Sequence, residues 1–255
     1  MTVYHIPTVY LILGILYLIL PLTVWALLLN QPSRALTFWC SGGLLFGIAL
    51  ALIGLRPHLP AWVTYTVANG LMWSAALMQI LALRRALDQD LAMKRAVALI
   101  MLCVLGFEFF RVVLQDAVLR FSWSTLIFTG LFSYISYLSW RIAAVHQLKS
   151  AKWLSVVYAI TAIIMLARTT IVLSGLTEPD VVASGVDSVL TVFTGLLISI
   201  LGNFAFVGMF LERSTQGRMK AIAERARQEE SARLGDQIAQ LERQRTLGTM
   251  SASFA

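Results

Sequence analysis

Charged residues are scarce: Asp, Glu, Lys and Arg make up 13% of the 255 residues, and apolar residues make up 58%. A soluble domain carries about twice that charge, ~25%. The composition excludes an ordinary soluble enzyme and indicates a polytopic membrane protein. Cysteine is nearly absent too. Cys40 and Cys103 both fall in apolar runs, so they read as packing residues rather than a disulfide, and they are too few for a metal site. His5, His58 and His146 lie scattered at the ends of apolar runs, which argues against a metal or haem centre. No P-loop, nucleophile elbow or His-Glu-x-x-His motif is present. No lysine occurs between Val186 and Leu211, which excludes Schiff-base retinal chemistry in the last apolar run. The N-terminus lacks a basic region and a small-residue cleavage site, so its first apolar run is expected to be a retained span.

What the sequence does have is seven apolar runs, each near the ~20 residues a bilayer requires. They are Ile6–Leu29, Ala35–Leu55, Ala61–Leu83, Ala96–Leu119, Trp123–Ala144, Trp153–Leu173 and Val186–Leu211. The fourth is the weakest, because Glu108 and Arg111 interrupt it. The expected fold is therefore all-α, with seven transmembrane helices. Arg34, Arg84, Arg85, Lys94, Arg95, Arg141, Lys149 and Lys152 fall on the same side as the basic C-terminal stretch, and Arg56, Arg120, Glu178 and Asp180 fall on the other. The excess of Lys and Arg marks the cytoplasmic side, which puts the N-terminus out and the C-terminus in. Flanking Lys and Arg also account for the net charge of +7 without a nucleic-acid partner. Short connections such as Asn30–Arg34 and Arg56–Pro60 require antiparallel neighbours. Pro21 lies inside the first span, where it can kink the helix. Gly43 and Gly47 form a Gly-x-x-x-Gly pattern, which serves either packing within the chain or a dimer contact.

Nothing breaks the helix where the last span ends. The polar stretch that follows is rich in helix formers and can reach roughly 65 Å at ~1.5 Å per residue. Met219, Ile222 and Ala226, and then Leu234, Ile238 and Leu241, form an apolar stripe whose second group has coiled-coil spacing. The two groups are out of phase, and such slips change the winding of a coiled coil locally. A single helix this polar has little to stabilise it, so a homodimeric coiled coil is expected; a frayed or disordered basic tail is the alternative. The expected domains are a membrane body at 1–211, a cytoplasmic linker at 212–246 and a third segment at 247–255.

Polar residues within spans are costly and point to function. Arg111 and Arg168 each lie about fifteen residues along a span running outward, roughly 22 Å from its cytoplasmic edge. Glu108 shares a helix face with Arg111, Asp187 opens the last span and Asn69 lies at intermediate depth in the third. Together with aromatic walls from Trp62, Tyr65, Trp123 and Tyr134, these residues can form an outward-facing polar pocket for an anionic or amphipathic signal. The competing account is structural: ion pairs of Arg111 with Glu108 and of Arg168 with Asp187 that fix helix packing.

The C-terminal stretch Leu241 to Ala255 reads LERQRTLGTMSASFA. Arg245, Leu247, Gly248, Met250, Ser251, Phe254 and Ala255 resemble the lead-in to the phospho-acceptor box of sensor histidine kinases, whose acceptor His would come next after Ala255. In the body, Leu55–Arg56, Leu59–Pro60, Ala68–Asn69, Arg84–Arg85 and the exit Met209–Phe210–Leu211–Glu212–Arg213 resemble multi-span sensor regions of bacterial histidine kinases and diguanylate cyclases. The resemblance implies the membrane sensor of a two-component histidine kinase in the bacterial inner membrane. On that reading 247–255 begins the kinase's dimerisation and phospho-acceptor helix. The parent enzyme would use ATP and Mg, and its partner would be a cytoplasmic response regulator. The 255 residues contain neither the acceptor His nor an ATP-binding domain, so no kinase activity and no cofactor are expected of them alone. A diguanylate cyclase sensor and a small transporter or channel are the alternatives.

Overall fold

The computed structural model describes residues 6–28, 33–91, 93–177, 179 and 186–253, with backbone alone at 186–188 and 239–253. The chain is all helical there. It divides by its contacts into two units, Met1–Met209 and Phe210–Ala255. Among the described residues, seven helices are long and apolar enough to cross a membrane, by length and composition.

In order the elements are α1 (Ile6–Leu27), α2 (Arg34–Gly54), α3 (Ala68–Ala86), α4 (Met93–Glu108), α5 (Ala117–His146), α6 (Lys149–Leu173), α7 (Val186–Leu197) and α8 (Asn203–Ser253). Among the described residues, three π-helical turns adjoin them. Val63–Val67 leads into α3, Phe109–Val113 extends α4, and Ile198–Gly202 joins α7 to α8. Within the first unit α1 packs on α2, α2 on α3, α3 on α5, α5 on α6, α6 on α7 and α7 back on α1. This order closes a bundle. The fourth span lies outside it against α3 and α5, with only 17% of its most apolar stretch buried.

Several boundaries differ from those the sequence predicts. The fourth span ends at Val113 rather than Leu119, because Asp116 caps the next helix: its carboxylate accepts from the Leu119 amide at 2.9 Å, and Gln115 takes a left-handed φ of 51° just before it. The fifth span is a 30-residue helix, Ala117–His146, that continues past Ala144 and meets α6 through Gln147 and Leu148. Gln147 adopts φ 56°, which makes this two-residue turn possible. Ser33 caps α2 through the Ala35 amide.

In a bilayer, helices are held together by close packing and interhelical hydrogen bonds rather than by the hydrophobic effect. The Gly43–Gly47 pattern is used for that inside the chain. Gly47 faces Gly14 and Leu18 of α1, and a methyl group there would lie 2.9 Å from the Gly14 carbonyl oxygen. Gly43 faces Pro21, and α1 continues through that proline. Trp39 of α2 stacks on Phe206 of α8 at 4.2 Å between ring centroids. Tyr17 of α1 donates to the Gly195 carbonyl at 3.0 Å, and Tyr158 of α6 donates to Gln79 of α3 at 2.8 Å. Cys40 and Cys103 are both buried within helices.

Candidate functional site

A cavity of about 120 Å³ opens at the end of the bundle that holds the C-terminus of α2 and the N-terminal part of α5. The π-turn Val63–Val67 places Tyr65 on its wall, and one turn later α3 adds Asn69. The Asn69 amide donates to the Tyr65 carbonyl at 2.7 Å, and its oxygen accepts from Ser124 of α5 at 2.8 Å. Next along α5, Thr125 accepts from Thr169 of α6 at 2.7 Å. A polar strip thus crosses from α3 through α5 to α6.

Every charged side chain among the described lining residues is an arginine: Arg56, Arg120 and Arg168. Arg56 reaches the cavity from the short 3₁₀ turn Arg56–His58 that ends α2, and Arg120 from the first turn of α5. Both guanidinium groups lie over the Tyr65 ring, with their central carbons 4.2 Å and 4.5 Å from its centroid. Such cation–π contacts orient a guanidinium on the ring face. Arg168 is only 4% exposed; its guanidinium lies 5.2 Å from the Phe121 ring centroid and 3.5 Å from the Met165 sulfur. The remaining wall is largely aromatic and aliphatic, including Phe46, Phe107, Phe128, Phe132 and Ile198.

Of the residues singled out from sequence, Tyr65, Asn69 and Arg168 meet on this cavity. Arg111 and Glu108 do not line it. They pair with each other through a two-pronged contact, the shortest distance being 2.6 Å, and Glu108 also accepts from the Thr66 hydroxyl. That contact fastens the outlying fourth span to the third. Trp62 is 58% exposed and stands away from the cavity. Trp123 donates to the Cys103 carbonyl at 3.0 Å and covers Gly106, so it joins α4 to α5. Tyr134 stacks on Tyr137 at the surface. The Asp187 side chain, His5, Glu178 and Asp180 lie outside the described residues.

Arg56 and Arg120 are the residues that sequence reasoning places in loops and misses. The π-turns are missed as well, and two of the three reach the cavity. One carries Tyr65, one carries Arg111, and the third begins at Ile198 on the cavity wall and ends where α8 starts.

In the second unit α8 remains helical as far as Ser253. Met219, Ile222, Leu234 and Ile238 are each more than half exposed. The side chains of Leu241, Arg245, Leu247, Gly248, Met250 and Ser251 lie outside the described residues, as do Phe254 and Ala255.

The architecture is that of a multi-pass helical membrane protein, consistent with an embedded sensor or signalling module. No protein-family model matches the chain, and no match was found among curated proteins or solved structures.

Proposed function

We propose that this chain is the sensor and signal-transmission part of a bacterial inner-membrane histidine kinase. The observation that carries the reading is a continuous helical path. Thr191, Thr194, Gly195 and Ile198 line the cavity, and the same helix passes through one π-turn and continues as α8 to Ser253. A change in the cavity therefore acts on the element that leads to the phospho-acceptor-like stretch.

On this reading the cavity end faces outward and α8 is cytoplasmic, in keeping with the distribution of Lys and Arg. A signal in the cavity shifts the packing of α7 on α1 and α6. The shift passes to α8 as rotation or a change of register. Two copies of α8 associate through Met219, Ile222, Leu234, Ile238 and Leu241, and Arg245, Leu247, Gly248, Met250, Phe254 and Ala255 lead into the acceptor helix. The parent kinase supplies ATP and Mg binding, and a response regulator receives the phosphoryl group. Arg111 and Glu108 hold the fourth span in place beside the site.

The residues encoded after Ala255 in the native gene test the kinase assignment. A His-Glu pair directly after Ala255 followed by a helical repeat supports it. A stop codon or a cyclase domain overturns it.

A further inference from the structure

We propose that the cleft between the fourth span and the body of the bundle holds an anionic phospholipid, with its phosphodiester on Arg84 and Arg95 and one acyl chain between α4 and α5. This cleft is separate from the Arg168 cavity, and its occupant does not depend on the domain that follows α8. The side-chain contacts that fasten the fourth span sit in its second half. Cys103 accepts from Trp123, Trp123 covers Gly106, Phe107 meets Trp73 edge-on at 5.8 Å, and Glu108 accepts from Thr66. Along its first half lies the cleft, walled by Leu81 of α3, Leu99 of α4, and Leu126 and Gly130 of α5. Leu99 and Leu126 are nearly half exposed, so the cleft is open along its side to the hydrocarbon of a bilayer.

Charge selects the headgroup. Arg84, in the last turn of α3, and Arg95, in the first turn of α4, line the cleft at one end. Neither guanidinium has a hydrogen-bond or ion-pair partner among the described residues, and the Arg84 Nε is shielded from solvent. Asp88 and Asp90 of the connecting loop do not line the cleft, and Arg84, Arg85, Lys94 and Arg95 outnumber them two to one. Basic pockets between membrane helices at this level bind anionic head groups, and a guanidinium fork matches the oxygens of a phosphate.

Shape selects the chain. Gly130 lies mid-helix in α5, where glycine costs about 1 kcal/mol relative to alanine. A methyl group there would meet no atom within 4 Å, so this glycine, unlike Gly43 and Gly47, makes no close helix contact among the described residues. It leaves a trough that faces the cleft. From Arg95 to Cys103 the wall formed by α4 runs roughly 12 Å. One leaflet's hydrocarbon is ~15 Å deep, so a single acyl chain matches that length.

The test is native mass spectrometry of the full chain in detergent micelles. It is titrated with dioleoyl phosphatidylglycerol or dioleoyl phosphatidylcholine, with soluble glycerophosphoglycerol and inorganic phosphate as competitors. Expected is one phosphatidylglycerol per chain, bound about tenfold or more tighter than phosphatidylcholine and displaced by neither competitor. Arg84→Gln and Arg95→Gln should each weaken binding about fivefold. Gly130→Leu, which fills the trough and keeps both arginines, should weaken it too. Arg85→Gln, at an exposed residue outside the cleft, should not. Arg95 is exposed, so its variant tests the site even where Arg84→Gln does not fold. Equal binding of the two lipids overturns the proposal. Displacement by glycerophosphoglycerol or phosphate does so as well, and marks a site for a free anion. Undiminished binding by a folded Arg95→Gln or Gly130→Leu variant also overturns it. So does an equal loss in Arg85→Gln, which marks attraction by surface charge alone.

Discussion

Trp39 donates its indole N–H to the side-chain oxygen of Asn203 over 3.0 Å, and so joins α2 to the first residue of α8. Asn203 in turn donates to the Ser199 carbonyl at 2.7 Å, inside the preceding π-turn. The hydrogen bond and the Trp39–Phe206 stack sit on either side of one helical turn. Replacing Asn203 by Leu removes the acceptor and leaves a buried indole N–H. The expected loss is about 1 kcal/mol, the usual scale of hydrogen bonds between membrane helices. Trp39→Ala also leaves a cavity under Phe206 and should cost more, about 3–5 kcal/mol. Unfolding in mixed micelles, monitored by circular dichroism, checks both values and their order.

The π-turn Ile198–Gly202 contains one residue more than an α-helix needs to keep its flanks in phase. Deleting Ile200 should convert it to plain α-helix with both flanks still in register, so the protein inserts and folds. Deleting the more exposed Phe204, in the α-helix that follows, rotates everything beyond it by about 100° and should abolish the Trp39–Phe206 stack. Yield and thermal stability of the two deletion variants, side by side, decide the matter.

Glu108 and Arg111 are each about one-quarter exposed, and Glu108 also bridges to Thr66. Removing one partner leaves the other charge with less compensation, whereas removing both leaves none. Glu108→Leu or Arg111→Leu alone should therefore destabilise more than the double replacement. The coupling should be about 0.5–3 kcal/mol in a double-mutant cycle.

Gly47→Ala should destabilise by about 1–3 kcal/mol, because the new methyl would meet the Gly14 carbonyl and Leu18 at 2.9 Å. Gly217→Ala, on the stalk where nothing lies within 4 Å, should raise helix stability slightly. Helix content and melting of the two variants test whether the Gly-x-x-x-Gly face serves contacts within the chain.

The seven spans are legible in the sequence because each supplies a long apolar run, and length and composition are what a bilayer selects. Asn69 and Arg168 stand out because they are polar within such runs. Arg56 and Arg120 do not, since a charge at a span end reads as an ordinary flank. Only the 3₁₀ turn after α2 and the Asp116 cap of α5 carry both onto the ring of Tyr65. The mutual pairing of Glu108 and Arg111 follows from their spacing, but its bridge to Thr66 depends on how α4 docks on α3. The π-turns have no composition of their own: Val63–Val67, Phe109–Val113 and Ile198–Gly202 read like any apolar helix.

On the proposed reading, the state of the cavity alters the association of α8. Single cysteines placed one by one from residue 215 to residue 238, and cross-linked in native membranes, test it directly. The expected result is disulfide dimers with a helical repeat peaking at Leu234 and Ile238, and a pattern that shifts phase or intensity in the Arg168→Gln background. An aperiodic pattern, no cross-linking along α8, or a periodic pattern that Arg168→Gln leaves unchanged would contradict it.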